Sequence, residues 1–294
     1  MHNIIKKRHF IFTQVDKLSS ITFISSFGAA LVGTIWALYL ESILHNASYV
    51  GFLTAFFTVS AMIFSVIVIP IIEKNSKSKL YLISILLYGL SYLAFSFLLN
   101  IYAVVILGLF LSLVATLKII SFGIILRDKS KDTCVSKNIG LVYTFVNLAW
   151  IIAPLVAGFV AQEYGIGKVF IIAAGFSFLS AILFASFNVK DNRTEKRIDK
   201  NPFKLIFEFL RNKTRAMIYV LSAGISFWWA LIYIYIPMKI VDSGLGNDKV
   251  GYFLFGIIIP LIIFEYAFGK IGAKKGFKKM FFTGYIILSI ISII

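Results

Sequence analysis

One ammonium group stands inside an otherwise apolar run: Lys118, in VVILGLFLSLVATLKIISFGIIL. An intramembrane charge costs at least about 2.5–3.5 kcal/mol on insertion scales and marks a site by default. A neighbouring run, GLVYTFVNLAWIIAPLVAG, carries one amide, Asn147, at nearly the same depth. Two readings of Lys118 stand. It lines a water-filled path, facing one cavity with Asn147 and favouring an anionic or zwitterionic solute, or it snorkels or pairs with backbone carbonyls. Aromatic side chains supply the remaining chemistry: Trp36 and Tyr39 in one run, and Trp228, Trp229, Tyr233 and Tyr235 in another. Aromatic walls with few polar groups suit a small-molecule site, and aromatics near a membrane interface equally serve as anchors. Glu265 sits about one turn from the end of its run, where snorkelling or pairing with Lys270 is the expectation over solute binding.

These residue types bind and orient; they do not catalyse. No HExxH, GxSxG or Walker-type loop occurs, and the three histidines (His2, His9, His45) are scattered. The single cysteine, Cys134, excludes a disulfide framework and a multi-cysteine metal site. The expectation is a non-enzyme without cofactors or metal.

The elements that hold these residues follow from composition. The chain has 294 residues, 60% hydrophobic and 14% charged, with a mean hydropathy of +0.92. A soluble domain is about 45–50% apolar and about 25% charged, so the class expected is an all-α polytopic membrane protein. Nine apolar runs are long enough or nearly so: 20–41, 49–72, 79–98, 102–126, 138–161, 167–187, 216–239, 250–268 and 280–294. The net charge of +16 is a topology signal and not a nucleic-acid footprint, because almost all of the 29 lysines and arginines fall in alternate turns. They cluster in the N-terminal arm, around 74–79, around 127–137, in 188–215 and in 269–279. Those turns, with the N-terminus, are expected in the cytoplasm, with lysines against anionic lipid headgroups, and the plasma membrane is the expected location.

An ungapped offset of 200 positions aligns Ser26 and Phe27 with Ser226 and Phe227, Ala30 and Leu31 with Ala230 and Leu231, and Val50 and Gly51 with Val250 and Gly251. The register continues through Ile71, Lys74 and Lys79 onto Ile271, Lys274 and Lys279. An even number of spans separates the copies, so the repeat is parallel, an arrangement of transporters with the site between halves. The organisation read from this is a six-helix N-terminal bundle over 1–187, a basic cytoplasmic linker over 188–215, and about three helices of a second repeat over 216–294. Within the linker, NPFKLIFEFLRNK reads either as an amphipathic surface helix or as a plain charged connection. Repetition of a whole half predicts on the order of 90–110 further residues, so the chain is expected to be a fragment.

This layout resembles the major facilitator superfamily. After span eight, Gly269, Ile271, Lys274, Gly276 and Lys278 match a relic of that family's G-x-L-A-D-R-x-G-R-K loop motif, with Ala273 in place of the acid. The resemblance implies a gating loop between two spans. The corresponding turn after span two, PIIEKNSKSK, keeps basic residues but neither the glycine nor the acid. Span five is similar to the antiporter motif G-x8-G-x3-G-P-x2-G-G: Gly140, Ala149, Ala153, Pro154, Ala157 and Gly158 hold its spacing, with alanine at three glycine positions. Small residues let helices approach closely in lipid, proline bends a helix, and the pattern points towards export. The arginine usual early in span four of drug–proton antiporters is missing around Leu111 to Leu113. The resemblance further implies that spans one, four, seven and ten line the pathway, which would place Trp36, Lys118, Trp228, Trp229 and Tyr233 along it. The function expected is small-solute transport by alternating access, with a coupling ion and as a monomer. The alternative is a non-transporting scaffold or lipid-handling relative, which the eroded loop motif and missing arginine favour.

Overall fold

The computed structural model describes residues 13–130, 135–189, 207, 210–275 and 277–291, and the regular elements among them are helices. Helix α1 (Gln14–Leu44) starts at a capping box. Thr13 Oγ1 accepts from the Asp16 amide at 3.2 Å, and Asp16 Oδ2 accepts from the Thr13 amide at 2.9 Å. It ends at His45, which adopts the left-handed conformation. Asn46 then caps α2 (Ala47–Ile67) by accepting from the Ser48 and Tyr49 amides. Pro70 ends that ladder at Val68 because it has no N–H, and a short α3 (Ile69–Lys74) continues it. Ser76 caps α4 (Lys77–Phe95) and Asn100 caps α5 (Ile101–Asp128). Helix α6 (Val135–Tyr164) contains Pro154, and α7 (Ile166–Ser186) follows Gly165, whose φ of 84° suits glycine.

The later part opens with α8 (Lys213–Ala230), capped by Asn212. A single π-helical turn, Leu231–Tyr235, leads into α9 (Ile236–Asp242). Pro237 explains the wide turn: it donates no bond to the carbonyl of Tyr233 four residues back, and its ring needs the extra space. Helices α10 (Asn247–Lys275) and α11 (Phe277–Ile291) complete the described chain. Among the described residues seven helical stretches are long and apolar enough to span a membrane: α1, α2, α4, α5, α6, α7 and the α8–π–α9 unit. The all-α polytopic class is as the sequence predicts.

Two expectations change. The lysine-rich stretch after span eight is not a loop through Gly269 and Lys274; α10 runs on as helix to Lys275. Its lysines and alanine are good helix formers, and at 29 residues the helix is about 43 Å long at 1.5 Å per residue, longer than a 30 Å hydrocarbon core. Only the neighbourhood of Gly276, itself outside the described residues, separates it from α11, where Lys278 is exposed. Similarly, α1 extends six residues before and three after the apolar run, because its capping box holds the polar entry turn. The amphipathic stretch of the linker lies outside the described residues, apart from exposed Phe207, Leu210 and Arg211.

The 200-residue register reappears in the helix starts. Helix α2 begins at Ala47 and α10 at Asn247; α4 begins at Lys77 and α11 at Phe277. Within the first bundle, α1 to α7, α1 packs on α6 and α7, α4 on α5 and α7, and α2 on α5. Two apolar clusters fill this bundle. One gathers Phe27, Leu31, Ile35, Tyr39, Tyr92, Phe95, Phe170 and Ala173. The other gathers Leu18, Ile21, Tyr81, Ile85, Ile125 and Phe184, towards the end where α1 starts and the basic residues Lys74, Lys77, Lys79 and Arg127 lie. We call this the basic end and the opposite one the far end.

Candidate functional site

The first bundle, α1 to α7, meets the later helices along a seam whose closest contacts lie towards the far end. On α6, Asn147, Trp150, Pro154, Gly158 and Gln162 follow one another at helical spacing. Ala149, Ala153 and Ala157 are fully buried. A Cβ added to Gly158 would stand 2.8 Å from the Asn247 carbonyl oxygen and 3.0 Å from the Gly251 Cα; one added to Gly251 would strike the Pro154 carbonyl. The α6 and α10 backbones thus touch with no side chain between them, the approach that small residues permit in lipid. Of the span-five pattern read from the sequence, Pro154 and Gly158 stand at this crossing, while Gly140 has open space around it.

At the far tip Gln162 Oε1 accepts a hydrogen bond from the Asn247 amide at 2.8 Å, satisfying an orphan donor in the first turn of α10. The π turn supplies the rest of the seam. Tyr233 meets Trp150 edge-on, with ring centroids 5.5 Å apart, and stacks obliquely on Trp229 at 5.8 Å. The Tyr235 hydroxyl sits where a side chain on Gly51 would be, and Trp150 presses on Gly33. Helix α9 packs on α1, bringing Asp242 within electrostatic reach of Glu41. Towards the basic end, apolar side chains of the same helices are exposed: Ile139, Leu141 and Tyr143 on α6, Met217, Ile218 and Val220 on α8, and Ile263 on α10.

The remaining sequence-predicted residues fall elsewhere. Trp36 packs inside the first bundle against Tyr39, Phe57 and Phe95, with ring centroids 5.3–6.2 Å apart. Trp228 lines a groove of about 280 Å³ with Ile225, Phe281, Tyr285 and Leu288 between α8 and α11. The Lys118 ammonium donates to Ser25 Oγ at 3.1 Å and lies 4.3 Å from the centroid of the Tyr88 ring. It therefore faces α1 and α4; half-buried Asn147 is not among its partners. The cation–π geometry replaces the snorkelling expected of a lone lysine.

Sequence reasoning missed Trp150, Gln162, Ser25 and Tyr88. Trp150 and Gln162 were legible as members of the α6 stripe begun by Asn147. Pro237 was the sign of the π turn. Nothing in the sequence paired Ser25 with Lys118, which are 93 positions apart.

The sequence profile of the Major Facilitator Superfamily matches residues 18–294. The chain belongs to this superfamily. An uncharacterised MFS-type transporter of Methanocaldococcus jannaschii is 21% identical over 273 residues, covering 91% of this chain and 70% of that protein. Two solved structures share the fold. A D-xylose–proton symporter is 12% identical, with a TM-score of 0.58, and the match covers 89% of this chain and 68% of that one. The peptide transporter POT in complex with sulfate is 18% identical, with a TM-score of 0.52, covering 85% and 51%. The chain spans about half the length of that peptide transporter. Membership of the superfamily, with transporters among the relatives, supports membrane transport as the activity.

Proposed function

We infer that this chain carries the first half, and the opening of the second, of a secondary transporter that moves a small solute by alternating access. The observation that supports the reading is the asymmetry of the seam: tight backbone contact at Gly158–Gly251 with the Gln162–Asn247 bond at the far end, against open space at Gly140 and exposed apolar side chains such as Leu141 and Tyr143 on α6 and Ile218 on α8 towards the basic end. A small-residue crossing at one end and open space at the other is the geometry of a rocking pair. With the basic turns in the cytoplasm, the arrangement is closed to the outside and open inwards.

The Trp150–Tyr233–Trp229 cluster, with Asn147 one turn from Trp150, forms an aromatic wall with one amide between the halves. Trp36, Trp228 and the basic residues around Gly269, Lys274, Gly276 and Lys278 belong in this reading to the helices that move and not to the contact itself. The resident membrane is the plasma membrane, the unit a monomer, a coupling ion accompanies the solute, and the direction is export, on the strength of the α6 pattern. The scaffold alternative has no structural observation in its favour. Single-cysteine reporters at the two ends, introduced in a Cys134→Ser background, test the proposal. Alternating access requires that labelling at one end fall as labelling at the other rises when far-end contacts are weakened. Independent, uncorrelated labelling overturns it.

A further inference from the structure

The seam face of α6 passes from closed to open at one amide. Gly140, Asn147 and Pro154 follow one another at seven-residue spacing and Gly158 comes one turn later, so the four lie within about 40° on one side of the helix. The α10 backbone covers this side at Pro154 and Gly158; at Gly140 an added Cβ would have nothing within 4 Å. Asn147 stands between, about 18 Å from the start of α6 at 1.5 Å per residue, near the middle of a hydrocarbon core about 30 Å thick. It is half-buried, and its side-chain amide makes no hydrogen bond among the described residues. A polar group at this depth without a protein partner meets water or a solute.

Rings and charge define what that solute can be. Trp150, three residues on from Asn147 and so its neighbour on the helix surface, begins a row that continues to Tyr233 at 5.5 Å and from there to Trp229 at 5.8 Å. All three are half-buried, and neither the two indole N–H groups nor the Tyr233 hydroxyl donates to another described residue. Around them there is no charge. Residues 18–40 of α1, 47–67 of α2, 138–162 of α6, 216–238 of the α8–π–α9 unit and 250–264 of α10 contain no aspartate, glutamate, lysine, arginine or histidine. Lys118, at similar depth, is turned onto Ser25 and the Tyr88 ring inside the first bundle. An ion entering this part of the seam would leave water without gaining a counter-charge.

We propose that Asn147 is the solute-recognition residue of the seam, and that the solute is an uncharged flat ring whose edge carries a donor beside an acceptor, as a carboxamide or lactam does. This rests on the transport reading and adds the class of solute. The asparagine amide offers a donor and an acceptor side by side, and such an edge meets both with two parallel hydrogen bonds, as adenine's edge does with asparagine. The ring then lies against Trp150 and Tyr233, whose N–H and O–H groups remain for its other acceptors. A cation would gain from the rings but would leave these donors unmet, and an anion would meet the negative faces of the rings.

The test uses three isosteres as probes, neutral benzamide, anionic benzoate and cationic benzamidinium, with the intact protein in lipid nanodiscs at constant ionic strength. Benzamide is expected to raise the midpoint of thermal unfolding by about 2–4 °C at ten times its Kd, and the two ions to leave it unchanged. Asn147→Leu weakens benzamide binding about tenfold or more and leaves the unliganded midpoint no lower, because the amide has no protein partner to lose. Tyr233→Leu weakens benzamide about 3- to 10-fold, which keeps the test alive if the Asn147 variant does not fold. Equal shifts with the three probes, a response to either ion in place of benzamide, no response to benzamide, or a benzamide response that survives Asn147→Leu overturns the proposal. End-to-end cysteine labelling in the same discs separates the two readings. Correlated labelling without a benzamide response discards this class of solute and keeps transport; a benzamide response without correlated labelling does the reverse.

Discussion

Gln162 of α6 closes the first turn of α10 by accepting the Asn247 amide at 2.8 Å, across 85 positions of sequence. The bond joins α6 to α10 at the point furthest from the basic turns. Between it and Trp150 the two helices touch through Pro154, Gly158 and Gly251, so one hydrogen bond and one small-residue crossing join α6 to α10.

Gln162→Ala removes that acceptor and leaves an orphan N–H in the first turn of α10. A lost cap costs about 1 kcal/mol, equivalent to about a fivefold shift between closed and open far ends. A cysteine at Ser42, which is exposed at the far end, should label about fivefold faster in the variant. Gln162→Glu should slow labelling instead, because a carboxylate suits a helix N-terminus.

Gly251→Ala and Gly158→Ala should both spread the α6–α10 crossing, the first more severely because its Cβ meets the Pro154 backbone carbonyl, which cannot turn aside. Overpacking costs about 1–3 kcal/mol. Gly140→Ala, with open space around it, should be silent. Unfolding midpoints of the three variants in one lipid check the order.

Pro237→Ala restores an N–H that can bond the Tyr233 carbonyl, and the π turn over Leu231–Tyr235 should tighten to α-helix. Closing one residue out of register rotates the preceding helix by about 100°, which parts Tyr233 from Trp150. The emission of Trp150, followed with the other three tryptophans replaced by phenylalanine, should shift if this happens and stay fixed if the turn is held by its neighbours.

Asp242→Asn should favour far-end closure. Glu41 and Asp242 bring like charges together where α9 packs on α1, with Lys239 one turn away on α9 and His45 at the end of α1. Neutralising one carboxylate removes the repulsion, so the Ser42 cysteine should label more slowly. Acidification of the parent should act in the same direction.

Tyr88→Leu should lower stability by about 0.5–2 kcal/mol through loss of the cation–π contact, while Tyr88→Phe, which keeps the ring, should not. Thermal unfolding of the two variants side by side checks this.

What the sequence determined by itself is the all-α polytopic class and the seven apolar spans found among the described residues. Apolar runs of about 20 residues between lysine-rich turns admit few other solutions, because backbone amides in lipid must be satisfied within their own helix. The 200-residue offset was equally legible, since a repeated span keeps its starts, as Ala47 with Asn247 and Lys77 with Phe277 show. The small-residue face of α6 was visible as a spacing. The tertiary structure alone decided who meets whom. It set Gly158 against Gly251, turned Lys118 from Asn147 to Ser25 and Tyr88, and sent Trp228 and Trp229 to different surroundings. The reason is physical: in a chain apolar on every side, hydropathy no longer distinguishes a helix's inner face from its lipid face. Packing shape then decides the contacts, and shape between helices is not written in the order of residues along any one of them.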